Sequence, residues 1–120
     1  MDERENFIRD LLGRPNKAEA FRWLDDCTEE SYRTVGELET NEQSIDLVCE
    51  IYKSGASEVI AVDIDTYPDG GQNTGRLVIK LPDDAEKRRS VFAWCERWSN
   101  RQGLTVGEDA GQEYLYVMLD

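Results

Sequence analysis

Apolar residues recur along this chain with two periods, and the switches between them divide it into elements. Phe7, Ile8, Leu11 and Leu12 form a first helical stripe, with Asp2 and Glu5 as a capping box before it and Gly13 with Pro15 ending it. Asn16 with Glu19 offers a second capping box, for a helix carrying Ala18, Phe21, Trp23 and Leu24 up to about Cys27. After the polar Thr28 to Ser31, the segment Tyr32 to Glu39 reads as a strand through Val35 and Leu38, weakened by Gly36. Thr40 or Asn41 then caps a helix whose Ile45, Val48, Cys49 and Tyr52 recur at helical spacing, with Gly55 closing it.

Strict alternation follows. Glu58 to Asp65 sets Ile60, Val62 and Ile64 on one face and Val59, Ala61, Asp63 and Asp65 on the other, and Arg76 to Leu81 does likewise with Leu77, Ile79 and Leu81. Antiparallel pairing of 64 with 77, 62 with 79 and 60 with 81 gathers the six aliphatics on one face, and opposes Asp65 to Arg76 and Ala61 to Lys80. Residues 66–74 between them are turn formers, predicting a mobile hairpin loop. Pro82 to Glu86 is a helix start, Val91, Trp94, Cys95 and Trp98 form the next helical face, and Gly103 ends it. Leu104 to Val106 is a short extension and Gly107 to Gly111 a loop. The last strand, Glu113 to Leu119, turns Leu115, Val117 and Leu119 inward and Tyr114, Tyr116 and Met118 outward.

The order is β-α-β-β-α-β over residues 28–120 behind a helical arm of residues 1–27, in a single domain of 120 residues. It resembles the ferredoxin-like fold, an α+β arrangement with a four-stranded antiparallel sheet and two helices on one face. That fold hosts many unrelated functions, so the resemblance implies no activity.

Composition narrows the classes. With 39% apolar and 33% charged residues there is enough to build a core. No apolar run approaches a membrane span, and the start at Met1-Asp2-Glu3 lacks a secretory signal, so the expected setting is cytoplasmic with no membrane partner. Cys27, Cys49 and Cys95 have no metal-site spacing and read as reduced, largely buried thiols. The 26 acidic and 14 basic residues give a net charge of −12, spread along the chain, which disfavours nucleic acid as a partner. Histidine is absent, which removes the commonest acid–base side chain, and no catalytic residue, metal or cofactor is assigned.

Four features bear on chemistry. Asp63, Asp65 and Asp69 with Gly70 and Gly71 suggest a calcium loop, but Tyr67-Pro68 stands where a ligand and a glycine belong and no helix precedes it. The glycine-rich 70–75 run leads into a strand, whereas phosphate loops open a helix. Lys87, Arg88, Arg89, Arg97 and Arg101 form a basic concentration, read as a solvated helix face. Two core helices leave one sheet face, with Val59, Ala61, Val78, Tyr114, Tyr116 and Met118, to be covered either by the arm with Phe7, Leu11, Phe21 and Trp23 or by a second copy of the chain. Base stacking on that face is opposed by the acidic charge.

The expectation is therefore a non-enzymatic interaction or regulatory module, acting as a homodimer or on a partner protein. Its contact residues would be Val59, Val78, Tyr114, Tyr116 and Met118 on the sheet, and Tyr67, Asp69, Gln72 and Asn73 on the loop. Alternatives are a small-ligand sensor with its site at a dimer interface near 69–75, an acidic mimic of nucleic acid that inhibits a basic partner, and, last, a metal enzyme built on Asp63, Asp65 and Asp69.

Overall fold

A computed structural model describes residues 3–101 and 109–119; the expected cap at Asp2, the helix end at Gly103 and the 104–106 extension lie outside them. In chain order the elements are α1 (Glu3–Leu12), β1 (Ala18–Glu19), α2 (Ala20–Asp25), β2 (Arg33–Val35), α3 (Asn41–Ser54), β3 (Glu58–Val62), β4 (Asp65–Thr66), β5 (Gln72–Thr74), β6 (Arg76–Lys80), α4 (Ala85–Arg101) and β7 (Tyr114–Met118). They make an α+β fold with a four-stranded sheet, ordered β1-β3-β6-β7, and a second, three-stranded sheet, β2-β5-β4.

The main sheet is antiparallel throughout, but its order is not the ferredoxin-like one. The strand expected from Tyr32 to Glu39 is absent from it. Only Arg33–Val35 is extended, and it runs parallel to β5 in the small sheet. Gly36 turns the chain away at φ 58°, where an added Cβ would sit 2.7 Å from the Leu119 Cβ, so the backbone passes too close to the end of β7 for a longer strand. β1 takes the outer place in the sheet instead, opposing Ala18 to Ala61 and Glu19 to Ile60. The second helix accordingly begins later than expected. Asn16 is not its cap; Glu19 is, its carboxylate accepting the Phe21 and Arg22 amides at 3.0 and 2.9 Å.

The register of β3 on β6 also differs. Ile60 lies opposite Val78 and Ala61 opposite Leu77, where the sequence pattern set Ile60 against Leu81. A shift of three positions is odd, so it exchanges the faces: Val59 and Ala61 join Leu77, Ile79, Leu115 and Val117 in the main core, and Ile60 and Val62 turn to the other side. Val59, Ala61 and Val62 are all fully buried. A strand apolar on both faces carries no alternation that could choose between registers. The strand also stops at Val62, because Asp63 adopts φ 50°, and Asp65 consequently pairs with Asn73 instead of facing Arg76.

Helices α2, α3 and α4 pack on one sheet face around Trp23, Leu24, Val48, Ile51, Val91 and Cys95. Of the two expected caps of α3 it is Thr40 that serves, in a capping box with Gln43, but the helix's buried face is Ser44, Leu47, Val48 and Ile51; the expected Ile45, Cys49 and Tyr52 are half-buried flanks. Ser44 is tolerated there because its hydroxyl accepts the Val35 amide at 3.0 Å. On α4 Val91, Trp94 and Cys95 of the predicted stripe are buried, and Trp98 is half-buried. The opposite sheet face is covered by α1, whose Ile8 and Leu11 pack on Val62 and Val78. The two expected arm helices thus part company, one to each face.

Thr74, buried at the junction of the two sheets, donates its hydroxyl to the Val62 carbonyl and accepts the Arg76 amide at 3.1 Å. Nearby, Asp63 binds Arg14 at 2.9 Å and Arg76 at 2.8 Å, tying the chain just after α1 to the ends of β3 and β6.

Two groups, the buried Cys95 and the half-buried Tyr52, make stability fall in alkali. Burial pushes the Cys95 thiol up to about 12 from 9.0. Burial and the 2.6 Å bond to Glu19 push the Tyr52 phenol up to about 12 from 10.0. Both hold their protons more tightly when folded, so their contribution is whole below about pH 9 and is lost as pH rises toward 12. Urea unfolding at pH 8 and pH 11 is expected to show this loss and Tyr52→Phe to reduce it; equal midpoints at both pH values would contradict the burial of Cys95 and the Tyr52–Glu19 bond.

Candidate functional site

The small sheet projects a hairpin whose parts are almost all held by hydrogen bonds. The Tyr67 amide donates to the Gly71 carbonyl at 2.8 Å and the Gly70 amide to the Tyr67 carbonyl at 2.9 Å, closing the turn between β4 and β5. Asp69 Oδ1 accepts the Gly71 amide at 2.9 Å, the usual service of an aspartate inside a turn. The segment after α2 packs against this turn: at Gly70, with φ 95°, an added Cβ would lie 2.5 Å from the Glu30 carbonyl oxygen. The predicted mobile loop is therefore a built hairpin, pinned on one side by β2 and on the other by the 28–31 segment.

The loop residues singled out from the sequence divide into two kinds. Gln72 and Asn73 face inward. Gln72 accepts the Trp23 indole N–H at 2.9 Å and donates to Thr66 Oγ1 at 3.0 Å, and Asn73 donates to Thr34 Oγ1 and the Gly36 carbonyl. Tyr67 and Asp69 lie at the surface, Tyr67 with 49% of its area exposed. Beside them stands Tyr32, 45% exposed, which no sequence signal marked. Its backbone carbonyl accepts the Gln72 amide and its hydroxyl accepts the Asn41 amide at 2.9 Å, so the side chain is held at both ends.

Carboxylates surround the two tyrosines. Glu29, Glu30, Asp65 and Asp69 are exposed, and none of them enters an ion pair among the described residues. Asp25 and Asp26 extend the same acidic run from the end of α2. Arg33, in β2, is half-buried and donates to the Trp23 carbonyl at 2.8 Å. This tip combines fixed aromatic surface with uncompensated negative charge.

The predicted sheet-face residues do not form a second surface. Val59 is in the main core on the other side of the sheet, Val78 is sealed under α1, and Tyr114 and Tyr116 are half-buried with it, the Tyr116 ring meeting Phe7 edge-on at 5.2 Å. Met118 is exposed. Of the residues expected to cover this face, Phe7 and Leu11 do so, whereas Trp23 is in the opposite core and Phe21 is exposed. Asp63, Asp65 and Asp69 do not converge: the first is clamped by arginines, the second lies in β4 and the third in the turn. Among the described residues no three acidic, cysteine or histidine side chains gather as metal ligands. In the basic stretch, Arg88 bridges to Asp109 at 2.7 Å and to the Gln112 carbonyl at 3.0 Å, fastening α4 to the approach to β7. No described helix is long and apolar enough to cross a membrane.

No protein-family model, curated protein or solved structure matches this chain.

Proposed function

We propose that this chain is a non-enzymatic protein-interaction module that docks the tip of its small sheet onto a basic face of a partner protein. The observation that carries this reading is the pair of exposed, pre-positioned tyrosines, Tyr32 and Tyr67, set among unpaired carboxylates. Tyrosine is enriched among the residues that dominate binding energy, because it presents a large apolar area with few rotatable bonds. Ordering of the backbone before binding lowers the entropic cost of the complex. The carboxylates select a cationic partner and steer its approach, an effect that salt weakens. In the same reading the module works in the cytoplasm, in keeping with three cysteines that are all free thiols.

A titration of the isotope-labelled chain with a short Lys/Arg-rich peptide tests this. Amide shifts are expected in residues 25–33 and 65–72, weakening from low to physiological salt. Tyr32→Ala and Tyr67→Ala, which leave the charge untouched, are each expected to reduce affinity by about tenfold. Shifts spread evenly over the acidic surface, or tyrosine variants that bind as well as the parent, would overturn the proposal.

A further inference from the structure

Between α3 and α4 lies a cavity of about 320 Å³. Trp94 and Trp98 line it, one helical turn apart, with rings nearly parallel at 4° and centroids 5.9 Å apart. Lys53 from α3 and Arg97 from α4 also line it; both are exposed, and neither is in an ion pair among the described residues. Among the described residues the opposing charge in the lining is Glu50 alone. The cavity is therefore net positive in a chain of net charge −12. By contrast, the cavity beside Asp63 sets Arg14 and Arg76 against Asp63 and Asp65, and the one beside Tyr52 sets Arg22 against Glu19 and Glu58.

Long-range repulsion from the acidic surface does not cancel this local excess. At physiological ionic strength charges beyond about 8 Å are largely screened, so an anion inside the cavity answers mainly to its lining, where Lys53 and Arg97 stand against Glu50. The Trp98 indole N–H is buried with no acceptor among the described residues, so its signal reports on the packing of that ring. Parallel indoles favour a flat ring, two free cations and a hydroxyl from Ser90 favour an acid group, and the volume suits a molecule of one or two rings.

We propose that this groove binds a small planar aromatic carboxylate, with the ring against Trp94 and Trp98 and the carboxylate between Lys53 and Arg97. The site is separate from the hairpin tip and does not rest on its role. Of the basic residues concentrated on α4, Arg97 is then the one that meets a ligand, while Arg88 is consumed by Asp109.

The test is a titration with 2-naphthoate, read at the indole N–H signals by nuclear magnetic resonance, with the uncharged 2-naphthamide as the matched control. The Trp98 signal is expected to shift saturably, while that of Trp23, already bonded to Gln72, stays in place. Naphthamide is expected to bind at least about tenfold more weakly, and Lys53→Gln or Arg97→Gln to weaken naphthoate by a similar factor without moving the melting temperature. The proposal is overturned if naphthamide binds equally well, if the glutamine variants bind naphthoate unchanged, or if the Trp98 signal does not saturate. Tyr32→Ala is expected to leave this titration unaffected, so failure at one site is distinguishable from failure at the other.

Discussion

Leu11→Asp is expected to release α1 from the sheet and turn the chain into a self-associating one. Leu11 is fully buried against Val62 and Val78, and an unpaired carboxylate there would have to be desolvated with no partner among the apolar groups around it. The lost burial of leucine alone is worth about 2–5 kcal/mol. A ten-residue helix has little stability of its own once its packing is removed. The ion pairs of Arg14 with Asp10 and Asp63 are solvent-exposed and screened, so they cannot retain it. Release uncovers Ile60, Val62, Val78 and Tyr116 together, an apolar patch that a second molecule would cover. Sedimentation at two concentrations should show oligomers, circular dichroism should show the loss of one short helix, and the opposite core should still unfold cooperatively. A monomer with full helix content would mean that α1 does not seal this face.

Gly70→Ala is expected to lower stability by about 2–3 kcal/mol and to abolish binding at the hairpin tip. Two effects add. The backbone at φ 95° is one that residues with a Cβ rarely adopt, and the Cβ itself would stand 2.5 Å from the Glu30 carbonyl oxygen, which belongs to backbone and cannot swing aside. Either the turn or the 28–31 segment must move, and with it the alignment of Tyr32 and Tyr67. The expected fall in melting temperature is on the order of 10 °C, and titration with the cationic peptide should lose the shifts in residues 65–72. Gly111, also at positive φ (81°) but with nothing within 4 Å, makes the control: alanine there should cost less and leave the tip unchanged. Equal losses at both positions would show that strain alone, without the contact to Glu30, sets the effect.

The tip itself was partly legible beforehand. Tyr67 and Asp69 stand in a run of turn formers, so their exposure follows from local chemistry. Tyr32 carried no such mark, because what displays it is the parallel pairing of β2 with β5 and the bond from the Asn41 amide to its hydroxyl. The cavity between α3 and α4 was equally hidden: Trp94 and Trp98 read as core, which one of them is, and Lys53 lies far from Arg97 in the chain.

What the sequence determined by itself is the set of elements whose signals lie within a few residues. These include α1, α3 and α4, the inward face of β7, and a cap of α3 at Thr40 or Asn41, of which the structure uses Thr40, since capping and helical periodicity act between neighbours. The tertiary structure alone decided which strands became partners, the odd register of β3 on β6, the removal of Arg33–Val35 to a second sheet, and the parting of α1 from α2. Each of these is a choice among distant segments that local patterns leave nearly degenerate. Val59 to Val62 could present either face, and packing settled it by burying Val59 and Ala61 under three helices and Val62 under α1.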